Sequence, residues 1–253
     1  MNNMLELAIK WDYISYNPNR KIEKSKRTRT NIEYYSPDEV DLLIKCVMQE
    51  YLKYQSLIIL ALDLGCRRGE LATLTWDDID FKQGKVKISK SLQYINGKIF
   101  EKEPKTENSD RVNYITQTTI DILKKYQKEQ LQKKLLLGSK WENTNRIFTT
   151  EIGGDIHPDT PTKIFYKIID KYKLKKLKFH GLRHTNVSLM IANGIQSQII
   201  SRKVGHSSVQ VTDKFYSHFF DEEFKNVSTV MDNVFSNTQS LTTRDNGWFA
   251  LPL

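Results

Sequence analysis

Cysteine is scarce: two residues in 253 leave almost no basis for a disulfide framework. Cys46 and Cys66 lie in apolar, helix-like surroundings without metal-ligand spacing, so both read as buried small hydrophobes in a reducing compartment. No apolar run approaches the roughly 20 residues needed to span a bilayer. The opening Met1-Asn2-Asn3-Met4-Leu5-Glu6 lacks the basic stretch and apolar core of an export signal. The expectation is a soluble chain in the cytoplasm with no membrane partner. A glycine-rich Lys-Ser/Thr phosphate loop is also missing, which argues against ATP-driven chemistry. No internal repeat is visible.

What is present is charge. Lysine and arginine number 39 against 30 acids, a formal net charge of +9, and such an excess favours polyanionic partners such as nucleic acid. Plain solubility is the competing explanation, so the functional argument has to come from particular residues.

Helical spacing over residues 4–15 predicts a short helix that stops before Asn17-Pro18. A basic stretch follows, with Arg20, Lys21, Lys24, Lys26, Arg27 and Arg29, and reads either as a solvated spacer or as a linker lying on a phosphate backbone. Ser36-Pro37-Asp38-Glu39 is a helix start, with a hydroxyl cap, proline in the first turn and acids at the positive end of the dipole. Apolar helical runs continue to Gly65 and from Gly69 to Leu74. Period-two alternation then takes over at Val86, Ile88, Leu92 and Tyr94, with a turn at Asn96-Gly97, and Val112–Ile115 is expected to close one small antiparallel sheet. Helical spacing returns from Thr118, at 161–172, 183–192, 198–204, 209–216 and 221–235. The fold class is therefore α+β and mostly α-helical, with a small sheet inserted among helices. The segments read as a terminal helix (1–18), a basic linker (19–33), a main domain (34–220) and a C-terminal helix and tail (221–253).

Cutting a DNA strand without water needs a nucleophile, donors that hold phosphate oxygens as charge builds, and an acid for the leaving 5′ oxygen. Arginine suits the second task, because its planar fork matches phosphate and its charged hydrogen bonds contribute about 1.5–3 kcal/mol each. Arg67 stands where one helix ends at Gly65 and the next begins, a place that attracts anions. His180-Gly181-Leu182-Arg183 puts an imidazole and a guanidinium three residues apart at another helix start. Gly205-His206 and then Tyr216 follow. His180 and His184 also have the i, i+4 spacing of a metal pair, with His206 or His218 as a further ligand, but no acid lies between them and the cysteines are distant.

Arg67, the His180/Arg183 box, Gly205-His206 and Tyr216 stand in the order and spacing of the tyrosine recombinase or phage integrase family, and the likeness runs from Ser36 to His218. The resemblance implies that Arg67 and Arg183 grip the scissile phosphate. His180 and His206 would hydrogen-bond it and help manage the tyrosine proton, and Tyr216 would be the nucleophile. Lys105, in the wording Pro104-Lys105-Thr106, would be the acid for the leaving hydroxyl, with Glu70 in support. It further implies double-stranded DNA attachment sites, a tetramer on DNA in which 221–235 docks on a neighbour, and accessory DNA-bending or directionality proteins. Neither a metal nor another cofactor is called for. The short first helix resembles only the last helix of a DNA-clasping domain that normally comes earlier. A DNA-binding regulator that no longer cuts, or a type IB topoisomerase, are the competing classes.

Overall fold

Residues 2–21, 32–102 and 110–205 are described by the computed structural model. The chain forms two compact units, Met1–Ile32 and Glu33–Leu253. The first contains helix α1 (Asn2–Lys10) and a 3-10 turn (Pro18–Lys21). Helix α1 stops short of the expected residue 15, because Asp12 takes a positive φ of 57° and turns the chain. Within this unit Glu6 holds Arg20 through two hydrogen bonds of 3.0 and 2.7 Å and accepts another from the amide of buried Asn17 at 2.7 Å.

The second unit opens with α2 (Pro37–Val47), capped as the sequence indicates: Ser36 Oγ accepts from Glu39 N, and Glu39 Oε2 accepts from Ser36 N. Tyr35, just before it, is buried and donates its hydroxyl to the carbonyl of Lys175. Helix α3 (Leu52–Leu64) is the centre of the fold. Its Ser56–Leu62 run is buried on every side, which suits a helix enclosed by others rather than an amphipathic one. It ends at Gly65, whose φ of 58° is the left-handed conformation glycine adopts without cost. A side chain there would also come within 2.7 Å of Asn186 Oδ1. Helix α4 (Arg68–Thr73) follows at once.

The strands are antiparallel, as expected, but form two sheets. β1 (Ile79–Asp80), β2 (Lys85–Ile88) and β5 (Arg111–Tyr114) make one in the order β1-β2-β5, while β3 (Ser91–Ile95) and β4 (Lys98–Lys102) pair only with each other. The separation has a packing cause. The backbone of β3 lies against Gly69 of α4, where an added Cβ would meet Ser91 Oγ at 2.5 Å and the Leu92 carbonyl at 2.6 Å, so the hairpin is drawn onto the helix.

Helices α5 (Gln117–Leu137), α6 (Thr160–Tyr172), α7 (Gly181–Ala192) and α8 (Ser197–Val204) complete the described unit. One apolar core links α2 to α6 and the three-stranded sheet; a satellite cluster of Val187, Ile191, Ile200 and Val204 joins α7 to α8. Asn186 on α7 donates to the last carbonyls of α3, those of Leu62 and Asp63, at 2.8 and 3.1 Å. The two segments with the candidate arginines are thereby held together. The expected helices at 209–216 and 221–235 and the tail lie outside the described residues.

Candidate active site

Arg67 is the N-cap residue of α4. Its backbone N–H donates to Glu70 Oε2 at 2.8 Å, its Nη1 to Glu70 Oε1 at 2.7 Å and its Nη2 to the carbonyl of Gly205 at 2.9 Å. Its side chain is still 43% exposed, so the guanidinium is oriented by the protein yet faces solvent.

Arg183, in the first turn of α7, is only 2% exposed. Its Nη1 donates to the carbonyls of Gly65 at 2.9 Å and Val204 at 2.5 Å, while Nη2 has no hydrogen-bond partner among the described residues. Burial, followed by the nearby charge of Arg67, lowers its pKa from 12.5 to about 9. It therefore stays cationic at neutral pH, and a bound anion would relieve the cost of holding that charge out of water. The two arginines come from distant parts of the chain and grip adjacent carbonyls, Val204 and Gly205, in the turn that leads into His206.

His180 caps α7 on the same turn as Arg183 and remains exposed. Partial desolvation, and then the charges of Arg183 and Arg67, hold its pKa below 6.5, so its ring is neutral at pH 7. His184 meets it edge to face, with ring centroids 4.7 Å apart. Among the described residues no three His, Cys, Asp or Glu side chains are grouped to hold a metal ion; His206 and His218, named with this pair as further ligands, lie outside them.

Glu70 is 5% exposed and lies between two guanidiniums, that of Arg67 and that of Arg111, which no sequence motif marks. Burial by itself would raise its pKa, but the hydrogen bond and charge of Arg111, reinforced by Arg67, hold it below 4.5. Glu70 is therefore an ionised support.

Lys105 lies outside the described residues, between β4 and β5, and the β3–β4 hairpin before it is anchored. Glu101 on β4 pairs with Lys90 at 2.6 Å and Arg146 at 2.5 Å, and Arg146 also reaches Asp155 and the carbonyl of Thr73. Tyr94 on β3 packs against the His157 ring with centroids 4.4 Å apart. Arg146 was also missed, since nothing in its local wording separates a partly buried brace from a surface arginine. His206 and Tyr216 lie outside the described residues too, as do Lys24, Lys26, Arg27 and Arg29. Of the two basic-stretch residues that are described, Arg20 is engaged with Glu6, and Lys21 sits 5.7 Å above the Tyr16 ring.

The model of the family described as "Phage integrase family" matches residues 33–223, which covers most of the chain and begins at the second structural unit. The chain belongs to this family. A tyrosine recombinase XerC-like protein of Caldanaerobacter subterraneus is 28% identical, with 93% of this chain and 65% of that protein aligned. The ICEBs1 integrase of Bacillus subtilis is 25% identical over 92% of this chain and 63% of its own length. The chain thus spans slightly under two thirds of these relatives. Among solved structures, a Tn1549 transposon integrase in complex with a circular intermediate DNA superposes with a TM-score of 0.75 at 19% identity, covering 90% of this chain and 76% of that one. XerA recombinase superposes at 0.61 with 21% identity, covering 79% and 65%. At these identities the superpositions speak for the fold, which is shared with these two proteins and is mostly helical with small antiparallel sheets. Among the described residues no helix is long and apolar enough to cross a membrane.

Proposed function

We propose that the chain is the catalytic portion of a site-specific DNA recombinase that cuts and rejoins strands through a 3′-phosphotyrosyl bond, without metal or ATP. One observation carries the reading: Arg67 and Arg183, brought from separate helices, are fixed on neighbouring carbonyls of the turn that precedes His206. Two fixed cations beside one another are suited to the non-bridging oxygens of a phosphodiester, whose charge grows as a nucleophile adds.

In this reading the Tyr216 oxygen bonds to the scissile phosphorus, the bond from phosphorus to the 5′ oxygen breaks, and Lys105 gives that oxygen its proton. The phenol proton leaves towards His180 or His206. Free tyrosine titrates near pH 10, so attack near neutrality needs such help, and a neutral His180 is able to accept. Rejoining reverses these steps with the 5′ hydroxyl of another strand, so the energy of the broken ester is retained. The substrates would be double-stranded attachment sites, in keeping with the DNA complex of the Tn1549 integrase. Assembly would be a tetramer on DNA in which residues 221–235 dock on a neighbour, with accessory DNA-bending or directionality proteins; the basic stretch from Arg20 to Arg29 would add phosphate contacts.

The test is covalent capture. The protein is incubated with a pool of nicked duplexes carrying a randomised central segment, and adducts that survive denaturant are recovered and sequenced. The expected result is an adduct with the wild type and none with Tyr216→Phe. An adduct that persists in Tyr216→Phe removes that residue as nucleophile. Relaxation of supercoiled DNA without recombinant product would identify a strand-rotating enzyme instead.

A further inference from the structure

Strand β5 is inside out. Its apolar Val112 and Tyr114 are 55% and 64% exposed, whereas Arg111 and Asn113 point inward at 6% and 4%. An alternation that hides polar groups and exposes apolar ones carries a desolvation cost that must be offset by specific bonds. Those bonds are present. Arg111 Nε and Asn113 Nδ2 both donate to the carbonyl of Lys203 at 2.9 Å, near the C-terminal end of α8. Arg111 Nη2 donates to Glu70 Oε2 at 2.8 Å, with Nη1 further off, at 3.4 Å from Oε1.

We propose that Arg111, assisted by Asn113, is a positioning residue for strand cleavage, an inference that rests on the recombinase reading above. Its side chain is 4% exposed and its donors are directed at protein acceptors, so it acts through other groups rather than on DNA. The groups it holds are the ones that hold Arg67. Glu70 orients Arg67 from one side, and the Gly205 carbonyl does so from the other. Arg111 grips Glu70 directly and fixes the Gly205 turn through Lys203. The turn is also built against it: Gly205 has a φ of 71°, and a side chain there would come within 2.7 Å of Arg111 Nη1. A closed ring results, running from Arg67 to Glu70, Arg111, the 203–205 turn and back to Arg67. The ring joins the start of β5 and the end of α8 to Arg67.

Lysine at this position keeps the charge but offers one compact ammonium where a fork now serves Glu70 and the Lys203 carbonyl together. The experiment uses a nicked duplex recovered by covalent capture, measuring single-turnover adduct formation at saturating duplex and, separately, the duplex dissociation constant. Arg111→Lys is expected to slow adduct formation about 30-fold, as misplacement of a positioned group by a fraction of an ångström does, with affinity changed by less than about threefold. In a Glu70→Gln background the same change is expected to cost no more than about threefold further, because the two residues act as one unit. Asn113→Ala, which removes one of two donors to the Lys203 carbonyl and leaves the buried charges paired, is expected to slow cleavage about fivefold. It decides the matter should Arg111→Lys fail to fold. Unchanged cleavage in these variants, a loss confined to affinity, or full additivity with Glu70→Gln overturns the positioning role. A wild-type chain that forms no adduct with any member of the pool overturns the recombinase reading, and this proposal with it.

Discussion

Glu70 and Glu6 each accept two hydrogen bonds from one arginine: Glu70 from Nη2 and Nη1 of Arg111 at 2.8 and 3.4 Å, Glu6 from Nη2 and Nε of Arg20 at 2.7 and 3.0 Å. Both carboxyls titrate below their ordinary value. For Glu6 the hydrogen bond from Arg20 is the main cause, whereas for Glu70 the bonds from Arg111 and Arg67 have to overcome a larger opposing effect of burial. That opposing effect separates the two regions. In water an ion pair is an optional contact, screened by salt and by solvent. Buried, the same contact becomes obligatory, since either charge left by itself has nowhere to be solvated, and an obligatory contact fixes its members in space. In this chain Arg67 rests on the second kind.

The largest effect expected from breaking this comparison is at Glu70. Glu70→Ala leaves Arg111 buried without its counter-charge and removes the acceptor for the Arg67 backbone N–H, so unfolding free energy in urea at pH 7 should fall by about 3–5 kcal/mol. Adduct formation in the folded fraction should fall about a hundredfold as Arg67 loses one of its two anchors. The pH dependence has a definite sign. With the carboxyl held below 4.5 in the fold, its stabilisation is complete above that value and is lost as pH falls through the folded pKa. A cost near zero for Glu70→Ala would show that burial does not divide the two pairs.

Arg67, Arg183 and Glu70 were legible because their neighbours are unusual words: Gly65 before a new helix, the His180 box, an acid one turn after an arginine. The described helices were legible from spacing and from caps such as Ser36/Glu39, with ends displaced by a few residues. Arg111 was not, and the reason is physical. Alternation in Arg-Val-Asn-Tyr assigns Val112 and Tyr114 to the interior, and the bonds that turn the strand over come from Lys203 and Glu70, far away in sequence. The splitting of the sheet was hidden for a similar cause, since the close approach of α4 to β3 at Gly69 is a tertiary contact that no local pattern records.

Burial acting on an imidazole sharpens the comparison with a smaller effect. Burial, then His180 and Arg183, pushes His184 down to about 4 from 6.5. The folded protein therefore keeps the ring neutral while the unfolded chain protonates it, so its contribution to stability is complete above pH 6.5 and is lost as pH falls towards 4. Between pH 7 and pH 4.5 the wild type should lose on the order of 2 kcal/mol more unfolding free energy than His184→Gln. Equal losses in the two proteins would mean that the ring is solvated well enough to titrate normally in the fold.

The smallest stability effect is expected at the exposed pair. Glu6→Gln removes the ion pair but keeps a hydrogen-bond acceptor beside Asn17, and both charged partners already face water, so the thermal midpoint should stay within the scatter of the measurement at low and high salt alike. A change comparable to that of Glu70→Ala would break the distinction drawn from burial. The substitution has a second consequence, which bears on DNA. In the reading in which Arg20 meets the phosphate backbone, Glu6 competes for it, so neutralising Glu6 should tighten binding of a duplex by no more than about twofold and steepen the fall of affinity with salt by up to one counterion. If affinity and salt slope both stay fixed, Arg20 is not among the residues that meet the phosphate backbone, and the electrostatic contribution of the basic stretch must come from the residues after it.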